Sequence, residues 1–294
     1  MQQPRKAVIP AAGIGKRLLP ATKSQPKEML PVGRKPTIQY VVEEIYGAGI
    51  KEVLIVTSQQ KRVIEDHFDP DTALIARLER DKKSIESLEH TGRDLELFYT
   101  RQSNPTGLAD AIGKAEHFVG AEPFIVCLGD SIIQSQAIGS VLERLIEAFT
   151  ANHASAAILF QTVDRQSVVK YGIAALEGEA NSVFEIQDLI EKPRVEEAPS
   201  NLAITARYIF SPEIFDYIRQ TPPGKGGEIQ ITDSIRLMLQ AGHRVWGVKL
   251  EAGEKRYDVG NFPSYFEAFF SFSLADKEFG QVFRQYAEKM LCET

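Results

Sequence analysis

The chain has 294 residues, 43% hydrophobic and 25% charged, with a formal net charge of −6 at pH 7. It can bury a large core, and it is too acidic overall to present the wide basic surface that a nucleic-acid backbone calls for. No apolar run approaches the length needed to cross a bilayer, and the opening Met1-Gln-Gln-Pro-Arg-Lys6 has no apolar targeting segment behind it, so a cytoplasmic protein without a membrane partner is expected.

In chain order, Ala7 to Pro10 reads as a short buried strand, after which Gly13 and Gly15 allow a sharp turn that brings backbone amides close to an anion. Residues 1 to 35 carry eight Lys/Arg against the single acid Glu28, whereas the remainder carries 26 against 39. Such a locally cationic loop suits a small polyanion. Spacing excludes two common glycine-rich loops. A dinucleotide fingerprint needs a glycine where Leu18 stands, and a Walker A loop needs Gly-Lys-Ser/Thr where the chain reads Gly15-Lys16-Arg17.

Thr37 to Tyr46 then reads as a helix ended by Gly47 and Gly49, and Glu52 to Thr57 as a second buried strand. Leu95 to Arg101, a helix from about Leu108 to Phe118 and the run Pro123 to Leu128 continue an alternation that predicts a parallel sheet, with ligands outside the carboxyl ends of its strands. Leu74, Ile75, Leu78, Ile85 and Leu88 are spaced helically among charges, which favours a solvated amphipathic helix over a substrate lid. Cys127, in the strand-like Phe124 to Leu128, reads as a small buried hydrophobe; with Cys292 as its only fellow, no disulfide framework is indicated. The five histidines lack metal-ligand spacing.

From His153 the text turns strand-like: Ala156 to Thr162, Ile173 to Leu176, Val183 to Ile190 and Leu202 to Phe210. A helix begins at Pro212, Gly224 to Gly227 reads as a loop, and Ile229 to Leu239 as a helix ended by Gly242. Phe262 to Leu274 and Lys277 to Leu291 form a helical tail whose aromatics (Phe262, Tyr265, Phe266, Phe269, Phe270, Phe272, Phe279, Phe283) suit a core or a subunit interface. The whole is expected to be one α/β domain, with residues 1–150 as a nucleotide-binding half, 151–260 as a sugar-phosphate-binding half and 261–294 as a tail.

Lys6-Ala-Val-Ile-Pro-Ala-Ala-Gly-Ile-Gly-Lys-Arg17 followed by Pro26-Lys-Glu-Met-Leu-Pro31 resembles the sugar-nucleotide pyrophosphorylases, most closely the bacterial UTP–glucose-1-phosphate uridylyltransferases. The likeness continues through Lys35-Pro-Thr-Ile-Gln-Tyr40, Lys61-Arg-Val-Ile-Glu-Asp-His-Phe68, Leu128-Gly-Asp130, Glu191-Lys-Pro193, Gly226-Gly-Glu-Ile-Gln230 and Arg256-Tyr-Asp-Val-Gly260. It implies a Rossmann-like nucleotidyltransferase fold, a mostly parallel central sheet flanked by helices with a smaller sugar-binding portion. The reaction implied joins UTP and glucose 1-phosphate with Mg²⁺, in a homodimer or homotetramer. Such a transfer forces two anions together in line, so the protein must supply positive charge, a hard cation and alignment rather than a covalent nucleophile.

The resemblance assigns Arg17 and Lys27 to the triphosphate, and Ala11, Ala12 and Gly13 to nucleotide contacts through the backbone. Glu28 goes to the nucleoside, Gln102 to the base edge and Gly107 to the backbone beside the base. Asp130 and Asp258 match the metal-binding carboxylates, Gly172 and Glu191 the sugar contacts, and Lys192 the sugar phosphate. A glutamine amide offers both a donor and an acceptor to the imide edge of uracil or thymine. Gly227 and Glu228 read as structural.

The chain departs from the pattern in three places. Ser131 stands where the uridylyltransferases usually carry a second aspartate, which should weaken metal or sugar-phosphate binding somewhat. Ala109 replaces a glycine and Asp110 a histidine, giving a loop nearer to thymidylyl- and acetylglucosamine-type relatives. A dTTP- or N-acetylglucosamine-1-phosphate-using enzyme therefore stays open, as does a non-catalytic sugar-nucleotide sensor.

Overall fold

The computed structural model describes residues 2–81, 94–178, 180–224 and 227–293. Its strands are β1 (Lys6–Pro10), β2 (Pro31–Val32), β3 (Lys35–Pro36), β4 (Glu52–Thr57), β5 (Glu96–Arg101), β6 (Phe124–Cys127) and β7 (Ser131–Gln134), then β8 (Ala156–Thr162), β9 (Gly172–Ala175), β10 (Val183–Glu185), β11 (Asp188–Glu191), β12 (Leu202–Phe210), β13 (Val245–Lys249) and β14 (Lys255–Asp258). The central sheet runs β10-β13-β8-β12-β6-β1-β4-β5, with β9 and β11 attached beside β12. Strands β13, β8, β6, β1, β4 and β5 point one way, and β10 and β12 the other. The expected α/β fold with a mostly parallel sheet is present, and the one long reversal is β12, buried throughout.

Alternation along the strands builds two cores. Val8, Val56, Val126, Ile158 and Phe160 face one side, where they meet helices Leu108–Gly113, Ile214–Gln220 and Ile231–Gln240. Ala7, Ile9, Val53, Ile55, Ile125, Cys127 and Leu159 face the other, against helices Thr37–Gly47 and Ser140–Ala151. Both faces are covered, so these strands read as continuous apolar runs. Cys127 is fully buried, and burial pushes its thiol up to about 12.

The helix at Thr37–Gly47 ends as expected: Gly49 takes φ 80°, and Ile50 N–H returns to the Ile45 carbonyl at 3.3 Å. Two expectations are corrected, and a third is met as far as the described residues reach. The segment Leu108 to Phe118 forms two short helices, Leu108–Gly113 and Glu116–Val119, separated by a turn in which Ala115 N–H bonds the Ile112 carbonyl at 2.9 Å. The run Val183 to Ile190 divides into β10 and β11 because the backbone changes partners. Ile186 N–H donates to Val245 at 2.8 Å, and Gln187 N–H to Ala175 at 2.9 Å. The amphipathic stretch is a helix over Thr72–Arg80 carrying Leu74, Ile75 and Leu78; Ile85 and Leu88 lie outside the described residues.

In the tail, helix Phe262–Leu274 is capped by the Asn261 side chain, which accepts from Ser264 N–H. It packs Tyr265, Ala268 and Phe272 against Leu18, Val32, Ile132, Tyr257 and Val259. Phe262 packs on the same core, whereas Phe266 is 61% and Phe279 51% exposed, because this helix and Gly280–Cys292 meet the body along one side only. Among the described residues no helix is long and apolar enough to cross a membrane.

Candidate active site

Strand ends of the sheet bring the cationic loop, Gln102 and Asp130 to one edge. Ala11 N–H prolongs the β1–β4 pairing by bonding Val56 at 2.8 Å, and the chain then turns through Gly15, at φ 73°. The single-turn helix Lys27–Met29 points Lys27 and Glu28 in different directions. A Cβ on Gly13 would stand 3.7 Å from Lys27 Nζ, so the loop backbone and this ammonium share one space.

Glu28 turns inward, 1% exposed, and accepts from Lys61 Nζ at 2.9 and 2.7 Å; the same ammonium donates to the Ala11 carbonyl at 2.5 Å. Burial pushes the Glu28 carboxyl up and the Lys61 ammonium down, each resisting the change in the other. Lys61 thus braces the loop from beneath. Sequence reasoning quoted Lys61 only within a longer matching run; its signal is a lysine following a buried strand end.

Asp130 follows β6. A Cβ on Gly129 would lie 3.2 Å from Ile9 Cγ2, a tight fit against β1, and Leu128 N–H donates to the Ala206 carbonyl at 3.1 Å. Ala206 sits at φ 64° where the β12–β8 register shifts between Ile204 and Tyr208, a bulge of the kind found beside active sites. Asp130 accepts from Lys27 Nζ, each side chain being 17% exposed. Burial pushes the carboxyl up, but Lys27, Arg256 and Lys61 more than offset it and hold Asp130 at about 2. In return Asp130, Glu28 and Asp258 raise Lys27 despite its burial, so it stays an ammonium.

The ribbon of β14 on β7 supplies the second carboxylate. Asp258 lies opposite Ser131 in register, and Val259 N–H bonds the Asp130 carbonyl at 2.9 Å, so the two aspartates are tied through backbone. Asp258 Oδ1 accepts from Gly260 N–H at 2.9 Å. A Cβ on Gly260 would stand 2.7 Å from Asp258 Oδ1, 2.8 Å from Arg17 Nη2 and 3.5 Å from Asp130 Oδ2. The missing side chain leaves a cradle between two carboxylates and a guanidinium. Oxygen donors of this sort suit a hard cation such as Mg²⁺, which takes one or two carboxylates and completes its shell with phosphate and water; no cluster of three His/Cys/Asp/Glu that could hold a metal occurs among the described residues. Gly260→Ala should therefore lower kcat on the order of 10²-fold by displacing Asp258 and Arg17. The denaturation midpoint should change little, since the contacts are to side chains; unchanged turnover would refute the cradle.

Ser131 is fully buried. Its Oγ accepts from Arg256 Nε at 2.8 Å, while its carbonyl accepts from Arg207 Nη2 at 2.9 Å. Arg207, also fully buried, forks onto Glu44 at 3.1 and 3.2 Å through Nε and 2.6 Å through Nη2. Neither arginine was singled out in the sequence, because an arginine within a strand carries no local signal of its partner.

The second half of the chain brings Gly172, Glu191 and Lys192 together on the β9–β11 pair, where Glu191 lies opposite Gly172. Thr232 Oγ1, at the start of helix Ile231–Gln240, donates to Glu191 Oε2 at 2.8 Å, and Lys192 Nζ lies 3.0 Å from Glu191 Oε1. Gly172 permits this approach: its Cβ would meet Ile204 Cδ1 at 2.8 Å and Thr232 Oγ1 at 3.0 Å. Lys192 is 40% exposed and takes φ 46°, an unusual backbone for lysine and one that recurs at ligand sites.

Gln102, 3% exposed, follows β5. Its amide nitrogen donates to Asp110 Oδ2 at 2.7 Å and to the Gly107 carbonyl at 3.1 Å. Both partners are acceptors here, because Asp110 is held ionised by hydrogen bonds from Gln102, Lys114 and Thr106 that outweigh its burial. The orientation of the amide is thereby fixed, and only Oε1 is left for a ligand, narrower than the donor-plus-acceptor reading of this side chain. Gly107 takes φ 125°, and a Cβ there would fall 2.4 Å from the Ile229 carbonyl oxygen; the backbone of Ile229 packs directly on this loop. A hollow of about 650 Å³ lined by Arg5, Lys51 and Glu52 opens at the opposite, amino ends of β1 and β4, away from all these groups.

The nucleotidyl transferase family matches residues 6–273. A UTP–glucose-1-phosphate uridylyltransferase of Bacillus subtilis is 41% identical over 293 residues, covering 99% of this chain and 98% of its own length. Among solved structures, a UTP-bound UGPase from Acinetobacter baumannii superposes with a TM-score of 0.88 at 34% identity, covering 97% of this chain and 98% of that one. A UDP-glucose pyrophosphorylase complexed with UDP-glucose gives 0.83 at 37% identity, covering 93% of this chain and 100% of that one.

Proposed function

The chain belongs to the nucleotidyl transferase family and, within it, to the UTP–glucose-1-phosphate uridylyltransferases, and from that membership we propose that it forms UDP-glucose and pyrophosphate from UTP and glucose 1-phosphate. The observation that carries the reading is the convergence of Lys27, Asp130, Asp258 and Arg17 around Gly13 and Gly260 at the carboxyl edge of the sheet. Enzymes of this family generally use a divalent metal, and Mg²⁺ is the ion we assign to Asp130 and Asp258. When bound, it supplies charge stabilisation to the transferring phosphoryl group.

The chain's own residues do the remainder. Ala11, Ala12 and Gly13 present loop backbone to the nucleotide, while Arg17 and Lys27 offset the charge of the triphosphate so that a second anion can approach. Glu28, held by Lys61, keeps the loop in place beside the nucleoside. Gln102 Oε1 accepts the imide N–H of uracil, with Gly107 giving the backbone room beside the base. On the other side Gly172 and Glu191 hold the sugar and Lys192 its phosphate. On this reading residues 1–150 serve the nucleotide, 151–260 the sugar phosphate, and the tail contributes surface for a homodimer or homotetramer through its exposed Phe266, Phe270 and Phe279. We place the enzyme in the cytoplasm.

An acceptor at Gln102 serves thymine as well as uracil, so the Asp110-held amide favours a second reading with dTTP on this side of the site. Pyrophosphate release from UTP, dTTP, ATP and CTP, each paired with glucose 1-phosphate and N-acetylglucosamine 1-phosphate, decides between them. The highest kcat/KM is expected for UTP with glucose 1-phosphate; release with no pair would leave only a binding protein. In the same assay Lys192→Ala should raise KM for glucose 1-phosphate roughly 10- to 100-fold, the scale of one charge-assisted hydrogen bond, and leave KM for UTP nearly unchanged. A rise confined to UTP would place Lys192 on the other substrate.

A further inference from the structure

Beyond its part in holding Asp130 ionised, Arg256 is a cation of the cleft edge to which the proposed mechanism gives no contact with substrate. Its side chain is 10% exposed. A guanidinium carries five donors and stays charged, so a buried one normally sits on a carboxylate. Here Nε donates to the Ser131 hydroxyl at 2.8 Å, and the nearest carboxylate, Asp258 Oδ2, is 3.8 Å from Nη2, beyond hydrogen-bonding reach. Among the described residues its two terminal nitrogens make no hydrogen bond. The Tyr171 ring lies 5.7 Å from the guanidinium carbon.

Its position follows from the ribbon. Side chains alternate along β14 and β7, so Tyr257 and Ile132 enter the small core under the tail, while Arg256, Asp258 and Ser131 share the opposite face with Asp130 at its end. Arg17 lies at the Gly260 side of Asp258. Arg256 lies towards Tyr171, whose carbonyl accepts from Lys192 N–H at 2.9 Å and which precedes Gly172. The buried Tyr208 hydroxyl feels both Glu191 and Arg256. Arg256 therefore stands between the two aspartates and the Gly172–Lys192 side of the cleft.

We infer that Arg256 is a second cation for the phosphate of the sugar 1-phosphate, opposite Lys192, and that Ser131 leaves it free for this by holding Nε with a neutral hydroxyl where an aspartate would hold it with charge. The inference rests on the nucleotidyl-transfer reading of the site and assigns Ser131 a part other than metal ligation. A planar guanidinium with both terminal nitrogens open can take two phosphate oxygens at once. The phosphate in turn relieves a buried charge that the free protein leaves poorly matched.

The test uses the full chain and whichever sugar 1-phosphate the wild type turns over best. Arg256→Gln should raise KM for the sugar phosphate roughly 10- to 100-fold with KM for the nucleotide little changed, and Arg256→Lys should recover part of the loss. Ser131→Asp supplies the independent variant. By pairing with Arg256 it should raise the denaturation midpoint and also raise KM for the sugar phosphate, a gain in stability together with a loss in binding. A Ser131→Asp protein that needs less Mg²⁺ for half-maximal activity with unchanged sugar-phosphate KM would overturn the inference, since the carboxylate would then be serving the metal. So would an Arg256→Gln effect confined to the nucleotide, or none at all. A wild type that releases no pyrophosphate with any pair would instead overturn the proposed function, and this inference with it.

Discussion

Asp130→Asn and Asp258→Asn should each lower kcat on the order of 10²-fold or more at saturating substrate, the scale on which a preorganised charge stabiliser acts. The two aspartates face one cradle, 3.5 and 2.7 Å from the point where a Gly260 side chain would begin, and Asp130 is kept ionised by Lys27. Replacing either carboxylate by an amide removes a hard-cation ligand while conserving shape. The variants should differ in one respect. Asp130→Asn also strips Lys27 of its counter-charge, so it should disturb KM for UTP, whereas Asp258→Asn should act chiefly through kcat. Because the pair works as a unit, the double variant should lose much less than the product of the single losses. Steady-state kinetics across a Mg²⁺ titration measure all of this, and near-normal turnover of both single variants at saturating Mg²⁺ would sink the metal assignment.

The site residues that the sequence disclosed, Gly13, Lys27, Asp130, Glu191 and Asp258, were marked by the family resemblance of the short runs they stand in. Glu191 and Asp258 end β11 and β14, Asp130 stands between β6 and β7, and Lys27 opens a single helical turn, so each run is a local feature that survives without knowledge of distant partners. The halves of the sheet were legible for the same reason, since Ala7 to Pro10, Glu52 to Thr57, Ala156 to Thr162 and Leu202 to Phe210 are continuous apolar runs. What escaped depends on distant partners. Strands β7 and β14 are only four residues long and exist because each pairs with the other across more than a hundred residues. The same is true of Gln102, whose free atom is decided by Asp110, and of Ser131, whose hydroxyl turned out to face Arg256. The tail aromatics could not be divided between core and interface because hydrophobic spacing marks a face for burial without saying whether this chain supplies the cover.

Arg207→Met should destabilise the protein by about 3–5 kcal/mol, the cost of leaving a buried charge without its partner. Arg207 is fully buried at the β12 bulge and donates three hydrogen bonds to Glu44 of the helix Thr37–Gly47, with a fourth to the carbonyl of Ser131 and a fifth to that of Ala206. Glu44 is 7% exposed, so the stranded carboxylate has little water to turn to. Glu44→Leu should cost a similar amount by stranding the guanidinium. Removing both, in Glu44→Leu with Arg207→Met, should recover most of the stability, because a buried ion pair is roughly balanced against apolar groups of similar volume. Activity should not recover in parallel. The hydrogen bond from Arg207 to Ser131 fixes the backbone immediately after Asp130, and a methionine cannot replace it. Urea denaturation of the two single variants and the double gives the coupling, and kcat of the double gives the positional part. A double variant as unstable as the singles would mean that the pair is held for packing rather than charge; one restored in both stability and kcat would mean that Asp130 keeps its place without Arg207.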